Sequence, residues 1–225
     1  MSASAQRQTI GSQGGGRSQW RMTEPKTVAV VTLPGFNEID SFVATRMIDS
    51  VDGLAVELVG PGDTARSMAG VDVATPGELG QLDTYAAVIV GSGFQTFDHI
   101  ENTAMMADFS LTRSDDRLLG SQCSGAAILH RLGLVDGVTV CTDMMTAPKL
   151  EAIGVSVAGE PFRANGTLAT SGGCLSSAYL AFWMISQLAT VERAVTALEY
   201  VAPVGEVADY IDRALAVTGL SATSR

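Results

Sequence analysis

The segment LLGSQCSGAAILHRLG, residues 118–133, places one nucleophile, Cys123, between an apolar strand and an apolar-periodic helix, with small residues on either side. That is the arrangement of a nucleophile elbow, in which a sharp strand-to-helix turn holds a reactive side chain clear of the backbone. At the amino end of a helix, unpaired N–H groups and the helix dipole favour a thiolate over a thiol, so the sequence predicts an activated Cys123. Gly125 and Ala126 leave room for a substrate atom and for close helix packing, and the Ser124 amide is placed to face a developing oxyanion. The competing reading is a buried, inert cysteine.

Two further segments carry polar chemistry. In LPGFNEID, residues 33–40, Asp40 follows Ile39 and precedes Ser41-Phe42, so it falls in the first turn of a helix facing the elbow; alternatively Asp40 or Glu38 caps that helix. The second is Gly91-Ser92-Gly93, where small residues permit close backbone approach and the Gly93 amide is a second candidate oxyanion donor. It lacks the further glycines of a dinucleotide fingerprint and the lysine of a P-loop, so no nucleotide cofactor is expected. With three cysteines, two histidines and no Cys-x-x-Cys pair, no metal is expected either.

These residues need a scaffold that brings strand ends together. Short β-branched runs alternate with longer amphipathic stretches, the pattern of a parallel sheet covered by helices. Strands are predicted at 27–33, 55–60, 85–91, 118–122, 138–142 and 167–172, with a hairpin arm near 71–75. Helices are predicted at 39–51, 101–113, 124–134 and 146–153, followed by three in the C-terminal third, the last near 204–217. The expected fold is a single α/β domain, residues 26–225, with a doubly wound, mostly parallel, flavodoxin-like sheet whose sites lie at the carboxyl ends of the strands. Residues 1–25 read as a flexible leader.

Composition narrows the function classes. The net charge of −10 repels phosphate backbones and argues against nucleic-acid binding. No apolar run approaches a membrane span, no secretory signal is present, and an odd cysteine count fits reduced thiols, so a cytoplasmic protein is expected.

Four segments resemble the DJ-1/PfpI superfamily, within the class I glutamine amidotransferase-like fold, over residues 26–217: LPGFNEID, AAVIVGSGF, SQCSGAAIL, and NGTLATSGG leading into a long helix. LEYVAP near 198–203 looks like the tail of the isonitrile hydratase branch. The resemblance implies that Cys123 is the nucleophile, Asp40 its partner acid, and the molecule a homodimer. Where many relatives carry a histidine after the strand that follows the elbow helix, this chain has Asp143, taken here with Ser124 and Gly93 as an oxyanion or substrate-binding position. Many relatives also have Gly where this chain has Ser92.

No Cys-His-acid triad is therefore expected. His130 is seven residues beyond Cys123 on one helix, about 10 Å along its axis at roughly 1.5 Å per residue, and His99 reads as a loop residue. Cys141 reads as core, and Cys174 as pocket lining, as a partner for an oxidised Cys123, or as inert. Met105-Met106 and Met144-Met145 read as core filler, the second pair alternatively as a pocket wall. A thiolate beside a carboxylic acid suits hydration of a small electrophilic carbon, as in isonitrile to N-formamide. The alternatives are a glyoxalase, deglycase or biosynthetic addition reaction at the same cysteine, or a redox or ligand sensor.

Overall fold

The structure, a computed structural model, describes residues 24–221; the expected leader lies almost wholly outside them. In chain order the elements are β1 (Lys26–Val31), α1 (Glu38–Asp49), β2 (Leu54–Gly60), β3 (Thr64–Arg66), β4 (Asp72–Ala74), β5 (Gly77–Glu78), β6 (Ala87–Val90), α2 (Thr96–Glu101), α3 (Thr103–Ala107), β7 (Leu118–Gln122) and α4 (Gly125–Arg131). Then come β8 (Val140–Cys141), α5 (Ala147–Ala152), β9 (Val157–Ala158), β10 (Phe162–Asn165), β11 (Leu168–Ser171), α6 (Ser177–Leu188), α7 (Val191–Val201) and α8 (Val207–Thr218).

Seven strands form the central sheet in the order β10-β11-β7-β6-β1-β2-β5, and every pairing is parallel except β10 with β11. Alternation along β1 and β6 divides the core in two. Ala29, Val31, Val88 and Val90 face a layer containing Ala126–Leu129 of α4, while Val28, Val30, Ala87 and Ile89 face a layer of α1, α6, α7 and α8. Both faces are buried, which is why these strands read as continuous apolar runs. The chain leaves β1 toward β2 on one side and β6 on the other, so the loops after β1 and β6 part at their carboxyl ends, where doubly wound sheets hold their sites.

Three expectations are corrected. The helix expected at 101–113 is confined to α3, Thr103–Ala107, which starts where the Asn102 side chain accepts the Met105 N–H, while α2 lies ahead of it and ends at Glu101. The strand expected at 138–142 shrinks to β8, outside the central sheet and paired with β9, because the Cys141 N–H is taken by Thr170 Oγ1. The antiparallel edge β10, absent from the sequence reading, exposes three of its four residues and so has no apolar signature. No helix among the described residues is long and apolar enough to cross a membrane.

Candidate active site

Cys123 occupies the turn between β7 and α4 with φ of 43°, the one non-glycine among the described residues in the left-handed region. For an L-residue that conformation costs about 1–2 kcal/mol, and the surroundings enforce it. The Cys123 N–H donates to Ser171 O of β11 at 2.9 Å. Behind it, Gly125 lets α4 lie against the end of β6: a Cβ there would stand 2.4 Å from Val90 O and 2.8 Å from Gly91 O. Gly125→Ala is therefore expected to lose about 2–3 kcal/mol of stability, read as a lower denaturant midpoint; an unchanged midpoint would show that the elbow yields.

Asp40 comes from the first turn of α1, and it is not the cap. Asn37 fills that role, its Oδ1 accepting the Ile39 N–H at 3.0 Å. Glu38 instead anchors the adjacent 67–69 loop, accepting from Ser67 Oγ and from the Ala69 N–H. Asp40 is left fully buried, with Ser92 Oγ donating to its Oδ2 at 2.5 Å and Gln122 Nε2 donating to its backbone carbonyl at 2.9 Å. The loops that meet here are tied together by Asn37 N–H to Ser92 O and Phe94 N–H to Gly35 O. Any Cβ on Gly93 would strike Gly35 O at 2.5 Å, so the glycine is what lets them close.

The Cys123 thiol is a neighbour of this carboxyl and the smallest of the influences on it. Burial pushes the Asp40 pKa up to about 6, against the donated hydrogen bonds of Ser92, Ser41 and Cys123. The thiol is also raised, first by burial and then by the negative charges of Asp40 and Asp143, with the Gly173 amide working the other way. The expected preference for thiolate, from unpaired N–H groups and the helix dipole, is opposed by this burial and charge. Two acids this close and this buried do not both ionise, so near neutral pH the pair holds one proton, and thiolate forms when that proton passes from sulfur to Asp40. Ser92, marked in the sequence only as a departure from the family's glycine, helps hold the carboxylate form. Ser92→Ala is expected to move the acid limb of the pH–rate profile to higher pH, lowering activity near pH 6 by roughly threefold to tenfold; an unmoved limb would remove Ser92 from the site.

The other expected positions surround one cleft of about 360 Å³, lined by Cys123, Ser124, Ser92, Gly93, Asp143 and Cys174 together with Asn37, Met68, Phe94, Phe97, Met145, Thr146, Lys149 and Gly173. Among the described residues the Ser124 amide has no hydrogen-bond acceptor, whereas the Gly93 amide donates to Ser124 Oγ at 3.1 Å, and that hydroxyl also contacts Thr96 Oγ1 at 2.8 Å. Asp143 lines the cleft as an acceptor, bonded by the Met145 and Thr146 amides, both at 2.9 Å, and by Thr146 Oγ1 at 2.6 Å, which makes it an anchor for the turn into α5.

Neither histidine reaches the cleft. The His99 Nε2–H donates to Pro34 O at 2.8 Å, tying α2 to the β1 loop, and His130 lies with Asp136 and Gly137 at a separate surface hollow. Cys141 is fully buried, whereas Cys174 faces the cleft and accepts from Asn37 Nδ2 at 3.2 Å. Met145 lines the cleft while Met144 is almost fully exposed. Among the described residues no group of three or more His, Cys, Asp or Glu stands ready for a metal ion. Sequence reasoning missed Gln122 and Lys149, since an amide after a strand and a lone lysine carry no pattern of their own.

The fold and this site can be set beside known proteins. A ThiJ/PfpI family protein from Pseudomonas syringae superposes with a TM-score of 0.70 at 18% identity, covering 94% of this chain and 98% of that one. DJ-1beta from Drosophila melanogaster gives 0.66 at 18% identity, covering 79% and 97%. An oxidised DJ-1 from Toxoplasma gondii gives 0.66 at 17%, covering 78% and 97%. Identities this low show the shared fold alone, and no curated protein sequence matches the chain. The DJ-1/PfpI family profile matches residues 26–187, a span that holds β1, the elbow, Asp40 and the cleft, and the chain belongs to that family.

Proposed function

We propose that the protein is a cysteine-dependent hydratase acting on small electrophilic carbons, of the isonitrile hydratase type. The observation that carries this reading is a buried cysteine, Cys123, neighboured by the buried carboxyl of Asp40 and opening on a cleft with no histidine among its lining residues. Cysteine peptidase and amidotransferase chemistry uses a histidine as the base that also protonates the departing amine, and no histidine lines the cleft. An isonitrile has no leaving group. Its terminal carbon accepts the Cys123 sulfur and the pair's proton, giving a thioimidate. Water then adds to the C=N bond, the nitrogen takes a proton, and the C–S bond breaks to release N-formamide and restore the thiol. The sum is isonitrile plus water.

The oxyanion positions favour the same choice. A carbonyl substrate places negative charge on oxygen at the first step and wants two convergent donors. Here Ser124 has a free amide, while the Gly93 amide is engaged by Ser124 Oγ. Isonitrile addition places no charge on oxygen. Incubation with an aryl isonitrile is expected to yield the N-formamide; consumption of methylglyoxal with no action on the isonitrile would replace this reading by the carbonyl one.

A second reading, oxidation sensing, is favoured by Cys174. Gln122, which directly precedes Cys123, is the register partner of Ser171, three residues before Cys174, so the two thiols follow adjacent strand ends and line one cleft. Peroxide would convert the Cys123 thiol to a sulfenic acid, and attack by Cys174 would release water and leave a disulfide. Peptide mapping after mild peroxide is expected to find the linked peptides if this reading holds; a sulfinic acid on Cys123 with free Cys174 would dismiss it.

A further inference from the structure

We propose that Lys149 selects substrates carrying an anionic group, such as a carboxylate, separated by an apolar spacer from the carbon that Cys123 attacks; this rests on Cys123 being the nucleophile. Lys149 is the one cation among the residues that line the cleft. None of the ion pairs found among the described residues includes it. Its ammonium lies 5.2 Å from the ring centre of Phe97, a contact that holds the charge over an aromatic wall without neutralising it.

The one carboxylate among the residues that line the cleft is already engaged. Asp143, the carboxylate lining the cleft, receives three hydrogen bonds from the turn into α5, so Lys149 stays available to a ligand. Cys123 and Lys149 line the same cleft of about 360 Å³, so one bound molecule can reach both. Phe94, Phe97, Met68 and Met145 complete the lining, and an apolar body suits them. On a chain with net charge −10, an isolated lysine at this cleft is also what lets an anion approach at all. The chemistry that fits is electrophilic carbon, flat or branched apolar spacer, carboxylate.

The test uses para-(bromomethyl)benzoate and para-(bromomethyl)benzamide, which present the same carbon and the same bromide leaving group and differ in charge. Alkylation forms the Cys123 S–C bond, breaks C–Br, and sends the thiol proton through Asp40 to solvent. Rates are read by mass spectrometry of the peptide containing Cys123 in the wild-type protein, Lys149→Gln and Lys149→Arg. The ratio of benzoate to benzamide rates is expected to fall about fivefold in Lys149→Gln and to stay near the wild-type value in Lys149→Arg. An equal ratio in all three proteins overturns the proposal. Failure of the nucleophile reading looks different: Cys123 remains unlabelled by the neutral reagent, and the inference falls with it.

Discussion

Replacing Cys123 by alanine is expected to lower isonitrile hydration by about 10⁴-fold or more, because Cys174, the other thiol lining the cleft, follows a different strand and is engaged by Asn37 Nδ2. The fold should survive. Alanine removes one sulfur from a site that is 4% exposed and keeps the positive φ, so the net change in stability is expected to be about 1 kcal/mol. Glycine at the same position is expected to be equally inactive while relieving the left-handed strain, so it should melt at or above the alanine variant. Turnover by either variant at more than a small fraction of the wild-type rate would mean that the nucleophile lies elsewhere. Formamide production and thermal melts on the same preparations separate lost chemistry from lost fold.

Asp40→Asn is expected to have an effect of opposite sign on stability and on rate. Without the carboxyl nothing accepts the thiol proton, and turnover should drop by about 10³-fold. Stability should rise at neutral and alkaline pH. In the folded protein the carboxyl holds its proton up to about pH 6, against an ordinary value of 3.8, so between those limits the folded state binds more protons than the unfolded chain. Stability then falls as pH rises through that window, and the whole cost of burying the carboxylate is present above it. The difference corresponds to about 2–3 kcal/mol, which Asp40→Asn should recover at pH 8 and not at pH 4. Melting curves across pH check the sign; a variant that is less stable at pH 8 would show that the Ser92 hydrogen bond outweighs the burial.

Much of this arrangement was legible because local and tertiary demands coincide at the elbow. Leu118–Gln122 is the strand read from the sequence, and the small residues that follow it serve contacts such as Gly125 of α4 against Val90 O, which any larger side chain would break. Asp40 was half legible. An acid in a first helical turn is as often a cap as a functional group, and Asn37 had to be seen in the capping role before Asp40 was released from it. The ionisation state was not legible at all. A helix start argues for thiolate, but α4 has seven residues, and the two carboxylates that oppose its effect come from the first turn of α1 and the loop after β8, both remote in sequence. The same distance hides Lys149, whose availability depends on Asp143 being filled by its own turn. Strand β10 and the short β8 were misread because their partners, not their own residue patterns, define them.

The central claim is that Cys123 and Asp40 share one proton, and the pH dependence of Cys123 alkylation by neutral iodoacetamide tests it most directly. The wild-type rate is predicted to rise through about pH 6 and then stay level from about pH 7 to about pH 9, since the thiolate fraction of a singly protonated pair does not change with pH. In Asp40→Asn the rate should instead climb about tenfold per pH unit over the same range, as for a thiol titrating alone. A wild-type protein that also climbs tenfold per unit, with no plateau, would contradict the shared proton and the mechanism built on it.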